Sequence, residues 1–208
     1  MPLTYLALGD SYTIGEGVPP ERRWPHQLAR ALRAEAIDLA DPLTVAATGW
    51  TTDELDAAID AADPQGPFDF ASLLIGVNNQ YRGRDVASFV DGVTALLERT
   101  IGFTGGRANR VLVLSIPDWG VTPFAAASGR DVAAIAHELD VYNDAARQIC
   151  DARGVAFVDI TPASRDHGAE PGMLAEDGLH PSARMYAEWT RLALPVARRL
   201  LQPPGTTP

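Results

Sequence analysis

Apolar residues along the chain gather in five short runs, separated by longer stretches with helical spacing. Leu3 to Leu8 is almost continuously apolar and breaks at Gly9. Such a run suits a strand buried on both faces. Leu43 to Ala47, Phe68 to Val77, Val111 to Ile116 and Val155 to Val158 read the same way. Between them apolar positions recur every three or four residues. Arg22 to Ile37 places Trp24, Leu28, Ala31 and Leu32 on one stripe. Thr52 to Ala62 does so with Leu55 and Ile59, with Thr51 or Thr52 as its cap. Asp85 to Gly102, Asp131 to Arg153 and Ser182 to Leu201 are longer amphipathic helices, and Gly154 stops the second of these. Pro117 to Gly129 and Thr161 to His180 show no period and read as loops. Residues 202–208 form a Pro/Gly/Thr tail that is expected to be disordered.

Strands that alternate with helices five times predict an α/β fold with a parallel sheet and helices on both faces. Right-handed crossovers make 2-1-3-4-5 the natural strand order. A length of 208 residues fits one domain, taken as residues 1–201. In such sheets ligands bind beyond the carboxyl ends of the strands.

Composition narrows the chemistry. The net charge is −10, and no basic cluster stands out, so nucleic acid is not an expected partner. All 17 basic residues are arginine, which removes Schiff-base lysines and the P-loop lysine. No apolar run approaches the roughly 20 residues that span a bilayer, so no membrane insertion is expected. Met1 to Asp10 lacks a basic leader region, and a cytoplasmic location is expected. Cys150 is the single cysteine and reads as a small core residue.

Polar groups stand where the strands end. Gly9-Asp10-Ser11 follows the first strand, Thr48-Gly49-Trp50 the second and Gly76-Val77-Asn78-Asn79 the third. Asp177-Gly178-Leu179-His180 precedes the last helix. A serine hydroxyl needs a base to become a nucleophile. His180 is the best placed base, because Asp177 three residues earlier can hold one ring nitrogen and leave the other toward Ser11. A tetrahedral oxyanion needs fixed donors. The N–H groups of Ser11 and Gly49 and the amide of Asn78 are the candidates. Asp10 reads as a structural residue that orders the nucleophile turn.

These blocks resemble those of the SGNH hydrolases, the GDSL-type esterase/lipase family. Gly9-Asp10-Ser11, Gly49, Gly76 with Asn78, and Asp177 with His180 match in order across almost the whole chain. Tyr12 stands where leucine is usual, and Asn79 where aspartate is common. The resemblance implies a three-layer α/β/α, flavodoxin-like fold and metal-free ester hydrolysis, with no cofactor. It makes Ser11, His180 and Asp177 the triad.

Tyr12, Trp50, Asn79, Trp119 and Phe124 are candidate pocket residues, with packing as the competing reading for the aromatic ones. Tyr81, Arg82 and Arg84 follow the Asn78 loop. They can meet a polar part of a substrate, but both arginines read better as solvated surface. His167, near Asp166 and Glu170, has no diagnostic metal spacing. The expected partner is a small ester, with short acyl groups preferred. The alternatives are a carbohydrate O-deacetylase, a thioesterase or lysophospholipase with the same triad, and a non-catalytic binding module. Composition does not bear on oligomeric state.

Overall fold

The computed structural model describes residues 1–202. Beyond Gln202, the expected tail lies outside the described residues. Strand β1 spans Tyr5–Gly9 and leads into a four-residue helix, α1, at Ser11–Ile14. Next come α2 at Trp24–Ala34, β2 at Leu43–Ala46, α3 at Thr52–Ala62 and β3 at Phe70–Leu74. A short helix α4 at Val77–Tyr81 precedes the long α5 at Val86–Phe103. Strand β4 follows at Val111–Leu114, then α6 at Pro123–Ser128 and α7 at Val132–Arg153. Strand β5 at Ala156–Val158, α8 at Thr161–His167 and α9 at Ala183–Leu201 complete the order.

The sheet is parallel throughout, with order β2-β1-β3-β4-β5. The central strands β1, β3 and β4 are buried at every position, which is why they read as unbroken apolar runs. The edge strands β2 and β5 are only partly buried. Helices α2 and α9 pack on each other, while α5 packs against α3 and α7. With helices on both faces of the sheet, the fold is a three-layer α/β/α sandwich. Trp24, Trp189, Tyr5, Tyr186, Phe70 and Phe89 are the largest fully buried side chains among the described residues. Cys150 is buried, and burial pushes its thiol up to about 12.

Two stretches read as loops carry helix instead. Within Pro117 to Gly129, a 3₁₀ turn at Trp119–Val121 runs into α6. The hydroxyl of Thr122 accepts from Ala125 N–H at 3.2 Å, and Pro123 starts the helix where its missing N–H costs nothing. Helix α8 likewise begins with a proline in its first turn. Neither is long enough to show a period. Because all five strands run the same way, their carboxyl ends lie on one edge of the sheet, where the polar blocks gather.

Candidate active site

The chain leaves β1 at Gly9 and turns at once into α1. Asp10 caps that turn: its Oδ1 accepts from Tyr12 N–H at 3.0 Å. Ser11 is the first residue of α1 and is 4% exposed. Asp10 is fully buried, and its Oδ2 has no hydrogen-bond partner among the described residues. Burial pushes its carboxyl up to about 7, against the N–H groups of Tyr12, Asp10 itself and Gly76, which favour the charged form.

The histidine sits in a loop that its own aspartate holds. Asp177 Oδ1 accepts from the N–H groups of Leu179 and His180, each at 2.9 Å. Asp177 Oδ2 lies 2.6 Å from His180 Nδ1. A carboxylate at that distance requires the proton on Nδ1 and leaves Nε2 as the available base. Burial opposes the Asp177 charge. The imidazole and the two backbone N–H groups outweigh it and hold the carboxyl below its ordinary range. The loop is closed by Ala175 N–H donating to the His180 carbonyl at 2.7 Å and by a bridge between Leu174 and Pro181. The Tyr12 ring stands edge-on to His180, with centroids 6.0 Å apart, and edge-on to Trp189 at 5.9 Å. The Ser11 hydroxyl makes no hydrogen bond to His180 here, though both face one cavity.

That cavity has a volume of about 190 Å³. Ser11, Gly49, Asn78 and His180 line its polar side. Tyr12, Val77, Tyr81, Trp119, Phe124 and Leu179 form an apolar wall. Gly49 has φ +87°, a left-handed turn that glycine adopts without strain. Gly76 has φ +126°, and a side chain there would meet Phe89 at 2.6 Å. The Asn78 amide donates to the Trp50 carbonyl at 2.9 Å, which fixes its plane.

Seven of the ten residues singled out in the sequence line this cavity: Ser11, Tyr12, Gly49, Asn78, Trp119, Phe124 and His180. Asp177 stands behind His180, on the rim of a second cleft. Trp50 and Asn79 do not line the cavity, which corrects their reading as pocket residues. Trp50 supplies only its carbonyl to Asn78. Asn79 is fully buried, accepts from Thr52 N–H at 3.1 Å and donates to the Thr52 hydroxyl at 2.9 Å.

Two residues that support the cavity wall, Gln80 and Arg130, were not singled out in the sequence. Gln80 accepts from Trp119 Nε1–H at 2.8 Å and donates to Glu138 at 2.6 Å, so the indole is held in one orientation. Arg130 lies over the rings of Tyr81 and Trp119, at 5.1 and 5.2 Å. Arg82 and Arg84, read as solvated, reach back to the segment around α3: Arg82 to Gly49 and Glu54, Arg84 to Asp53. The run from Asn78 to Arg84 is dense in donors, the one hint that it binds another segment.

Among the described residues, no group of three His, Cys, Asp or Glu side chains is placed to hold a metal ion. His167 pairs with Glu170 at 2.9 Å. No helix among those residues is long and apolar enough to cross a membrane.

The model of the GDSL-like lipase/acylhydrolase family matches residues 7–188. No curated protein matches the chain in sequence. Several solved structures share its fold. TesA superposes with a TM-score of 0.73 at 18% identity, covering 95% of this chain and 99% of its own. A lipase/acylhydrolase from Enterococcus faecalis gives 0.70 at 21% identity, covering 98% of both chains. The acetylxylan esterase Axe2 from Geobacillus stearothermophilus gives 0.70 at 19% identity, covering 94% of both. At these identities the likeness establishes the fold.

Proposed function

The chain belongs to the GDSL-like lipase/acylhydrolase family, and on that premise we propose that it hydrolyses short-chain carboxylic esters through an acyl-enzyme on Ser11. Ester hydrolysis in general follows from the family. The roles of the residues and the acyl preference are the proposal.

The observation that carries it is one cavity faced by a serine, a histidine and two kinds of oxyanion donor, with Asp177 2.6 Å behind the imidazole. The Ser11 oxygen attacks the ester carbonyl, and its proton moves to His180 Nε2. The carbonyl oxygen becomes an oxyanion held by the N–H groups of Ser11 and Gly49 and by the Asn78 amide. As the carbonyl re-forms, the bond to the alcohol breaks and His180 returns the proton to the leaving oxygen. Water then attacks the acyl carbon as His180 takes its proton; the bond to the Ser11 oxygen breaks, His180 returns the proton to that oxygen, and the acid leaves. Asp177 keeps the imidazole in the productive tautomer throughout.

The acyl preference follows from the wall. A methylene contributes about 0.8 kcal/mol only while it finds apolar surface. A volume of about 190 Å³ offers that to few carbons. Trp119 is fixed by Gln80 and Glu138 and braced by Phe124 and Tyr81, so it is poorly placed to swing aside. The same short wall suits an acetyl group on a sugar, which keeps a carbohydrate O-deacetylase as the second reading. A long-chain thioesterase or lysophospholipase is less well served.

The test uses p-nitrophenyl esters from acetyl to palmitoyl, together with an acetylated sugar. Acetyl to butyryl esters are expected to give the highest kcat/KM. Ser11→Ala should be inactive, and Trp119→Ala should shift the optimum to longer chains. Substantial turnover by Ser11→Ala would refute the mechanism. A steady rise in kcat/KM to palmitoyl would refute the short pocket.

A further inference from the structure

Gly49 and Asn78 must point at the same atom, yet they come from different strand ends. We propose that Arg82 is the positioning residue that sets one against the other, an inference resting on the oxyanion roles assigned above. Arg82 follows α4, the short helix that carries Asn78. Its Nη2 donates to the Gly49 carbonyl at 2.6 Å, and its Nη1 to Glu54 Oε1 at 3.1 Å. Glu54 Oε2 accepts from Thr51 N–H at 2.9 Å. The guanidinium thus closes a ring through Gly49, Thr51 and Glu54. The next carbonyl, that of Trp50, accepts from Asn78 itself. Two consecutive carbonyls of the glycine loop are therefore held by α4 and by the residue that follows it.

Gly49 needs such a clasp. It occupies the left-handed position of a turn closed only by a long bond, Trp50 N–H to the Ala47 carbonyl at 3.4 Å. Among the described residues, nothing in the chain accepts from the Gly49 N–H. That donor is available to a ligand, and its direction depends on what holds the turn. A planar guanidinium suits the task because it can engage a carbonyl and a carboxylate at once.

Arg84 supplies the internal comparison. It pairs with Asp53 and touches no carbonyl of the glycine loop. Arg82 and Arg84 are both partly exposed, and exposed ion pairs contribute little to stability. A general loss of surface pairing would affect the two variants alike. A loss of oxyanion geometry would affect only one.

The experiment compares Arg82→Ala, Arg82→Lys, Glu54→Gln and Arg84→Ala with the wild type. The readouts are kcat and KM on p-nitrophenyl acetate, the rate of inactivation by an alkyl fluorophosphonate, and the thermal midpoint. Phosphonylation of Ser11 also develops charge on an oxygen in the hole, so its rate reports the same donors. Misplacing a catalytic donor by about 1 Å can cost up to about 10²-fold. Arg82→Ala is expected to lower kcat and the inactivation rate together, by about tenfold or more, with KM within about twofold. Lysine should restore part of the loss, because one ammonium can still reach the Gly49 carbonyl. Glu54→Gln should lie between, and Arg84→Ala should match the wild type. Equal kcat for Arg82→Ala and Arg84→Ala, or an effect on KM alone, would overturn the proposal. If Arg82→Ala does not fold, the lysine and Glu54→Gln variants decide it by the same readouts. An inactive, unlabelled wild type would instead overturn the ester-hydrolase mechanism on which the proposal rests.

Discussion

Two loops face the cavity, and they are held by opposite means. The histidine loop is held mainly from within, with Phe124 N–H donating to the Gly178 carbonyl at 3.2 Å from outside it. Asp177 accepts from Leu179 and His180 and meets the imidazole, all within three residues. The glycine loop is held from elsewhere. The partners of Gly49, Trp50 and Thr52 are Arg82, Asn78 and Asn79, between 27 and 33 residues away. A bond within three residues orders very little chain, whereas a remote bond forms only once both segments are in place. The glycine loop therefore depends on α4, and α4 depends on the left-handed turn at Gly76 beneath Phe89. One loop carries its chemistry as a local motif, the other as a tertiary contact. Changes in them should break different things.

The sharpest break is at Asp177. An asparagine there can keep its Oδ1 toward Leu179 and His180 N–H, so the loop should persist. Its amide N–H₂ would face His180 Nδ1 and force the proton onto the wrong nitrogen. Asp177→Asn is expected to lower kcat by about 10³–10⁴-fold on p-nitrophenyl acetate. The thermal midpoint should hardly move. A loss below about tenfold would mean that Asp177 builds the loop without directing the imidazole.

On the glycine side two neighbouring asparagines should part company. Asn78→Ala removes the proposed oxyanion donor and is expected to lower kcat by about 10²–10³-fold with KM little changed. Asn79→Leu leaves Thr52 N–H and its hydroxyl without their partner in a buried site. It is expected to lower unfolding stability by about 1–3 kcal/mol, read from denaturant midpoints. Asn79→Asp should keep the fold, because the carboxylate accepts from both Thr52 groups. A catalytic loss in Asn79→Leu as large as that in Asn78→Ala, without loss of stability, would erase the distinction.

The same contrast explains what was legible in the sequence. The Asp177–His180 pair showed itself because its partners are three residues apart. The strands and long helices showed themselves through period. Trp50 and Asn79 were misplaced because each adjoins a residue that does face the cavity. Successive residues on a helix point about 100° apart, so α4 turns Asn78 to the cavity and Asn79 into the core. Helices α1, α4 and α6, of four to six residues, are too short to display a period. Arg82 read as surface because one partner is a backbone carbonyl, which has no signature in sequence, and the other, Glu54, lies 28 residues away. Gln80 was missed for a related reason: its partners, Trp119 and Glu138, are far along the chain.

A pH-dependent effect should come from Asp10, whose Oδ1 is tied locally to Tyr12 N–H. Burial raises its carboxyl to about 7 in the folded protein, above its usual value of 3.8. The folded chain therefore binds a proton at Asp10 that the unfolded chain has released between those two values. Stability from this group falls as pH rises through that window and stays low above it. Asp10→Asn keeps an acceptor for Tyr12 N–H but carries no charge at any pH. The variant should match the wild type or fall slightly below it near pH 4 and gain on it steadily towards pH 8 in unfolding free energy. Taking the difference between the two chains cancels the titration of the remaining carboxylates. Denaturant titrations at pH 4, 6 and 8 measure it. Parallel profiles would show that the Asp10 charge is solvated in the folded protein, and that its role is confined to capping the turn that carries Ser11.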